Sequence, residues 1–346
     1  MAKLRTIVVG AGSMGGLWTR VVNDCPGTAP VGLVDLDPDA PARLMERVGI
    51  ASIEAFSDLG RAIETTRAGL VVDCTIPAAH HDVTITALKR GCHVIGEKPL
   101  ADSMKAAREM VTAARRADRI YMVSQNRRFE PRIQAIRKAV LGGRIGAVTS
   151  IDADFYIGMH FGGFREEMAH PLIVDMAIHH FDMARYLSGL DAAAVYAKAF
   201  NPKGSWYRGE AAGSAIFEMT GDAVFNYRGS WCSICPPTSW NAAWRILGEK
   251  GCILWDGEDP PRLFKEQRTQ SKRVACRELK LPLRSMKHTG QAEALREFLR
   301  ALKTGRQPSG WCGDNIKSLE MVYGAVSSSD TGRRVDCHAA LRTNNK

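Results

Sequence analysis

Short apolar runs alternate with longer amphipathic stretches over the first third of the chain. Residues 4–9, 31–35, 70–74, 92–96 and 120–124 are nearly continuous apolar segments of strand length. Between them, residues 14–24, 38–48, 80–90 and 103–117 carry helix-like periodicity. A strand buried on one face alternates apolar and polar positions, whereas these runs do not. They predict strands buried on both faces, in a parallel sheet covered by helices on each side.

The rhythm changes after about residue 145. One long helix is predicted at 172–187. Strand-like runs follow at 192–200, 212–218, 223–231, 242–247 and 250–256, separated by Gly, Pro and Asn turns. Two helices, 289–303 and 313–327, close the pattern. Strands in succession with helices set apart predict an open, largely antiparallel sheet with helices on one face. The expected domains are 1–125 and 126–346. A chain of 346 residues suits two domains of roughly 100–200 residues each. No internal repeat or low-complexity linker separates them.

Composition narrows the function classes. Apolar residues make up 45% of the chain, enough for two cores. No run of 18 apolar residues predicts a membrane span. The basic start, Met1-Ala2-Lys3-Leu4-Arg5, runs into glycines with no small-residue cleavage site, so no signal peptide is expected. A cytoplasmic location is the expectation. The nine cysteines are odd in number and scattered, which predicts reduced thiols. Cys232 and Cys235 form a lone CxxC with no second pair to complete a zinc site, and no metal is expected. The net charge of +10 is dispersed. Its densest stretch, residues 265–277, is interrupted by Glu266, Gln267 and Gln270 and lacks interleaved aromatics. No nucleic-acid partner is expected, nor a membrane.

The chemistry begins at Gly10-Ala11-Gly12-Ser13-Met14-Gly15. Gly10 permits a tight strand-to-helix turn. Gly12 lets a pyrophosphate approach the backbone, and Gly15 lets helix and strand pack closely. The helix N-terminus offers free N–H groups and a partial positive charge to phosphates. A G-x-G-x-x-G alone is weak evidence. Here it follows a strand, opens a helix and is followed, 20 residues beyond Gly15, by Asp35 at the end of the next strand. That context predicts a bound dinucleotide, with Asp35 accepting from the adenosine ribose hydroxyls. An NADP site favours a neighbouring Arg. Leu36 and Asp37 stand there instead, and Asp37 adds repulsion, so NAD is expected over NADP.

Three further stretches carry chemistry: Thr75-Ile76-Pro77-Ala78-Ala79-His80 with Gly96-Glu97-Lys98-Pro99; Asn126-Arg127-Arg128-Phe129; and Asp175 to Asp182, which includes His179 and His180. Lys98 follows a parallel strand, and ligands of such sheets bind beyond the carboxyl ends of the strands. It can hydrogen-bond a substrate hydroxyl. Asp175 and His179 are four apart and share one helix face. His179 can accept the hydroxyl proton while hydride leaves the same carbon, with the carboxylate favouring its imidazolium form. His180 points about 100° away and reads as structural, as does Asp182. The angular spread of His179, His180 and Asp182 argues against a shared metal ion.

Together these stretches resemble the family of glucose-fructose oxidoreductase, inositol dehydrogenase and rhizopine-catabolism proteins (Gfo/Idh/MocA). The resemblance spans essentially the whole chain. It includes Phe298-Leu299-Arg300-Ala301, Thr304-Gly305-Arg306-Gln307-Pro308 and Ser329-Asp330-Thr331-Gly332-Arg333. It implies an α/β fold class: an N-terminal Rossmann dinucleotide-binding domain, then a C-terminal α+β domain with a large open, mostly antiparallel sheet. It implies catalysis by Lys98, Asp175 and His179. It places Ser13, Met14, Thr75, Ile76, Pro77, His80, Glu97, Lys98 and Asn126 at the cofactor with the glycines and Asp35. His80 serves equally well as a packing or capping residue near the start of its helix.

Candidate substrate contacts are Lys98, Arg127, His160, His170, Asp175, His179, Trp240 and Asn241. Arg128 is an alternative to Arg127. His160 lies in a glycine-rich stretch that reads as a loop over the site. His170 stands where many relatives carry a glycine-rich turn, a departure that leaves the pocket's shape open. Trp240-Asn241 occupies the place of a Tyr-Asp pair that contacts sugar in relatives. The expected function is NAD-dependent oxidation of a hydroxyl of a sugar, sugar derivative or inositol. The alternatives are an NAD-using glycoside hydrolase of the same family and a non-catalytic NAD- and sugar-sensing regulator. An open sheet face needs covering, so a homodimer or homotetramer is expected.

Overall fold

The computed structural model describes residues 3–50, 53–267 and 274–337. Met1 and Ala2 of the basic start, and 268–273 of the basic cluster, lie outside the described residues. The chain divides into two compact units, residues 1–129 with 288–316, and residues 130–287 with 317–346.

The first unit alternates strand and helix: β1 (Leu4–Val9), α1 (Ser13–Asp24), β2 (Thr28–Val34), α2 (Ala40–Val48), β3 (Ala55–Phe56), α3 (Leu59–Thr66), β4 (Leu70–Asp73), α4 (Pro77–Lys89), β5 (His93–Gly96), α5 (Met104–Ala117) and β6 (Tyr121–Val123). Its six strands run in the order β3-β2-β1-β4-β5-β6, every pair parallel. All four residues of β4 are buried, as a central strand covered on both faces requires. Asp58 caps α3 by accepting the Arg61 N–H at 2.6 Å, and Ser103 caps α5 by accepting from Ala106. Proline opens α2 and α4, where its missing N–H costs nothing.

The segment 288–316, expected in the second domain, belongs to the first unit. The reason is burial: Leu295 and Phe298 of the helix Gly290–Thr304 enter the same core as Val8, Trp18, Leu33 and Ile95. Periodicity shows that such a helix has an apolar face but not which core the face joins.

The second unit contains α6 (Pro131–Leu141), β7 (Val148–Tyr156), the short α7 (Phe164–Glu167), a π-helical segment (Leu172–Ala177) and α8 (Ile178–Ser188). Then come β8 (Ala192–Phe200), β9 (Ala212–Met219), β10 (Val224–Ser230), β11 (Ala243–Gly248), β12 (Gly251–Trp255), β13 (Arg262–Gln267) and β14 (Ala275–Leu279). The helices α9 (Gly290–Thr304) and α10 (Cys312–Thr331) precede β15 (Val335–Asp336). The sheet order is β14-β13-β12-β11-β7-β10-β9-β8-β15. It is antiparallel except for β7 beside β10. The open, mostly antiparallel sheet is as expected. One face of it carries Phe217, Phe225 and Tyr227 against Phe181 of α8, with ring centroids 4.8–6.1 Å apart. The other face is polar and open: Asp154 pairs with Arg228 at 2.7 Å, beside a concavity of about 910 Å³ that also includes Arg245 and Leu254. Among the described residues, no helix is long and apolar enough to cross a membrane.

Candidate active site

The glycine loop joins β1 to α1, and each glycine answers to a different constraint. Gly10 sits at φ +91°, a left-handed conformation that favours glycine, and a Cβ there meets the Cys74 carbonyl oxygen at 2.9 Å. A Cβ on Gly15 would lie 1.8 Å from the Gly10 oxygen. A Cβ on Gly12 meets nothing within 4 Å. Nothing among the described residues therefore demands glycine at 12, which is what a backbone kept bare for a ligand looks like. The N-terminus of α1 has no side-chain cap and no acidic residue in its first turn, so its amides suit a pyrophosphate.

Asp35 follows β2. One carboxylate oxygen accepts the Ala11 N–H at 2.7 Å, the other the Asp37 N–H at 3.0 Å. A carboxylate has about four acceptor sites, so capacity for two ribose hydroxyls is left. Asp37 is paired with Arg43 at 2.5 Å, and that guanidinium holds its carboxyl below the usual range. The repulsion expected from Asp37 is thus largely balanced by a cation that the sequence reading overlooked. Arg47, one turn further along α2, donates to the Gly12 carbonyl at 2.9 Å.

The remaining residues expected at the cofactor also follow the carboxyl ends of parallel strands. Thr75 follows β4 and donates to Asp73 through its N–H and hydroxyl, at 3.0 and 2.6 Å. Ile76 is exposed and Pro77 opens α4. His80 is buried, and both its ring nitrogens face backbone carbonyls, Pro99 O at 2.9 Å and Thr75 O at 3.1 Å. No ring nitrogen of His80 is left for a cofactor.

Glu97 and Lys98 follow β5. The Glu97 carboxylate accepts from Trp18 Nε1 at 2.7 Å. Burial pushes its carboxyl up, while the Trp18 hydrogen bond and the Lys98 charge pull it down. Lys98 is half-buried, and a cis peptide joins it to Pro99. Asn126 and Arg127 are half-buried in a short 3-10 turn after β6. Arg128 is buried, bonded to Ser309 at 3.3 Å and 3.7 Å from Asp314. Arg127 is accordingly the better candidate of the two.

In the second unit, the helix expected at 172–187 opens as a π-helical segment and becomes α-helical only at Ile178. Asp175 lies in the wider π turn, so the four-residue spacing to His179 is not that of a regular α-helix. The Asp175 carboxylate accepts from Arg165 Nε at 2.8 Å. The Arg165 guanidinium stands 5.5 Å from the Phe161 ring and 4.9 Å from the Phe164 ring. His179 is half-buried. His180 is fully buried, against Phe155 and Tyr227 at 5.0 and 5.6 Å. Its place is structural. Asp182 accepts from Ser318, which also receives a bond from Arg185. Arg185 in turn holds Asp191. Asp182 is thus part of a buried polar network.

The expected substrate residues are differently placed. His160 stacks on Trp206 at 4.0 Å. Trp240 is 43% exposed and near Phe161, with centroids 6.4 Å apart. Asn241 donates its side-chain amide to Gly257 O at 3.0 Å, which reduces what it can offer a ligand. His170 lies with Nδ1 2.7 Å from Glu210 and Nε2 3.7 Å from Asp330. It is flanked by carboxylates that no sequence spacing links to it. Arg165, Phe161 and Trp206 were missed. The glycine-rich loop contains Phe161 and precedes Arg165, and nothing in the spacing pointed to Trp206.

A bare glycine loop at the switch point between β1 and β4, with a lysine and two carboxylates beyond neighbouring strands, defines a dinucleotide-binding oxidoreductase. Comparisons with known proteins agree. Residues 4–125 match the model of an oxidoreductase family with an NAD-binding Rossmann fold. Residues 133–254 match that of the Gfo/Idh/MocA C-terminal domain. The chain belongs to the Gfo/Idh/MocA family of NAD-binding oxidoreductases. It is 25% identical to a myo-inositol 2-dehydrogenase of Thermotoga maritima, over 96% of this chain and 98% of that one. It shares its fold with an Agrobacterium radiobacter oxidoreductase solved with NAD+, L-tartaric acid and magnesium: TM-score 0.85, 21% identity, 98% and 99% of the two chains. A levoglucosan dehydrogenase solved with NADH and L-sorbose gives TM-score 0.83 and 20% identity over 97% and 99%.

Proposed function

We propose that this protein oxidises a secondary or anomeric hydroxyl of a sugar, sugar derivative or inositol, passing the hydride to NAD. The observation that carries this reading is the setting of Lys98. It follows a central parallel strand and is flanked by a buried anchor on each side, Glu97 on Trp18 and Pro99 on His80. A cation held there can hydrogen-bond a substrate hydroxyl and favour its alkoxide character. His179 takes the proton, and Asp175, with Arg165 balancing its charge, supports that role. The nicotinamide, when bound, supplies the redox chemistry. The relatives named for inositol and levoglucosan support a polyhydroxylated substrate.

Asp35, with the nearby Arg43 held by Asp37, supports NAD over NADP. A screen of sugars, sugar acids and inositols for NADH formation tests the function. Lys98→Ala is expected to cut turnover on the best substrate by at least about 100-fold with NADH affinity retained. Wild-type turnover in that variant refutes the role of Lys98. No NADH formation with any polyol refutes the dehydrogenase reading.

A further inference from the structure

We propose that His80 is the positioning residue for Lys98: a buried imidazolium that clamps the loop after β4 to the carbonyl following Lys98. The clamp's effect on catalysis rests on the reading of Lys98 given above. The clamp itself rests only on geometry within the first unit.

Hydrogen-bond accounting favours the charged ring. Nδ1 is 2.9 Å from Pro99 O and Nε2 is 3.1 Å from Thr75 O. A carbonyl oxygen can only accept, and a neutral imidazole has one N–H. A neutral ring would satisfy one carbonyl and face the other with a lone pair. The ring is 1% exposed, so water is poorly placed to replace a lost bond. Both contacts are hydrogen bonds only when both nitrogens carry protons.

A buried cation needs a counter-charge, and Asp73 supplies it. It is fully buried at the end of β4. Oδ1 takes the two Thr75 bonds, while Oδ2 is buried without a hydrogen-bond partner. Burial holds its carboxyl above the ordinary range, with the positive charge of His80 and the Thr75 bonds pulling the other way. The other titratable groups nearby do not compete. Burial drives the Cys74 thiol and the Tyr121 phenol well above their ordinary ranges, so both stay neutral. Glu97 is already engaged by Trp18 and Lys98.

The two tied carbonyls are not arbitrary. Thr75 begins the stretch expected at the cofactor, and Pro99 is the residue next to Lys98. The Glu97 side fixes the same short segment from the other end through Trp18. Lys98 is therefore carried on a backbone pinned before and after it, and His80 sets the second pin relative to the cofactor loop.

The test has two arms. In protein labelled with 15N-histidine, with His80→Gln to assign the signals, both His80 ring nitrogens should appear as N–H at neutral pH. Asp73→Asn should remove one of these protons. A bare ring nitrogen in the wild type overturns the clamp. The second arm is kinetic. His80→Gln retains a donor for one carbonyl only. With its melting point and NADH affinity near wild type, it should lose about 10- to 100-fold in kcat, as a small displacement of a reacting group does. Its primary deuterium isotope effect on kcat should rise. An unchanged kcat in a folded His80→Gln overturns the positioning role. If that variant does not fold, the wild-type and Asp73→Asn nitrogen spectra decide. Those spectra need no substrate, so failure of the polyol reading is distinguishable from failure of the clamp.

Discussion

Gly12→Ala separates a glycine needed by the fold from one needed by a ligand. Gly12 has φ −73° and ψ −161°, an extended conformation open to any residue. An added methyl meets nothing within 4 Å. Alanine at a helix N-cap costs about 0.5–1 kcal/mol relative to better caps. The smaller entropy of the unfolded chain returns about 0.4–1 kcal/mol. The net change is close to zero, and the melting temperature should move by no more than about 2 °C. The bound pyrophosphate would meet that methyl directly. Forcing a methyl into a close contact costs about 1–3 kcal/mol, which at 1.4 kcal/mol per decade raises the NADH dissociation constant about 5- to 150-fold. Gly15→Ala is the contrast. Its Cβ would lie 1.8 Å from the Gly10 oxygen, so backbone must move and stability and binding should fall together. Fluorescence titration of NADH beside thermal melts reads both quantities. Wild-type NADH affinity in Gly12→Ala would refute close approach of the cofactor at this residue. An unaltered melt in Gly15→Ala would refute the packing argument.

Asp37→Ser should release Arg43 from its 2.5 Å pairing and raise the ratio of NADP to NAD efficiency by about tenfold, since a free Arg beside the ribose acid is what NADP sites use. An unchanged ratio counts against Arg43 reaching the 2′ position. His93 gives a pH dependence. Its Nδ1 accepts the Ile120 N–H at 3.0 Å, and burial, with Arg119 nearby, pushes the ring down to about 4. The unfolded chain takes up this proton near the ordinary value of 6.5, the folded protein only near 4. Stability present above pH 6.5 is therefore lost as the pH falls toward 4. The slope stays below the one-proton limit of about 1.4 kcal/mol per pH unit, reduced because the ring is partly exposed. Denaturant unfolding of His93→Gln should show a shallower loss over that window, and equal slopes would exclude His93 as the source. Ile216 lies half-exposed at the concavity on the open sheet face. If that face carries the homodimer or homotetramer expected of an open sheet, Ile216→Arg should lower the mass seen by light scattering. A wild-type mass for the variant would place the interface elsewhere.

The first unit was legible because its signals are local. β1, β4 and β5 are short runs with no polar alternation, and each strand end carries residues whose chemistry is recognisable one at a time. The second unit was less so. β7 was missed although it is the central strand, because Ser150, Asp152 and Asp154 alternate with Ile151, Ala153 and Phe155 in a stretch rich in acid. Its polar face bonds Asn226 and Arg228 across the sheet, partners that lie 74 positions away. β14 is an edge strand, and it and its neighbour β13 have sparse apolar residues. Their pairing is visible only once Arg262 is seen on Glu278.

The same distinction between local and distant signals explains what the site reading lacked. Asp175 and His179 were placed on a regular helix, where four positions bring two side chains together. The π turn from 172 to 177 changes the local repeat, and the carboxylate also accepts from Arg165 of the short α7. His80 was read as a cofactor neighbour from its place in a motif. Its partners are two carbonyls, which every residue except its own neighbours could equally have supplied, so no side-chain pattern could name them. Conversely, the reading of Gly12 needs no side-chain partner, because the role proposed for it is defined by empty space. Residue type is therefore a good guide where a function depends on one backbone position. It is a poor guide where a charge is balanced by a side chain outside the motif, as at Asp37 and Asp175. Arg43 beside Asp37 and Arg165 beside Asp175 are the two cations that the sequence reading did not name.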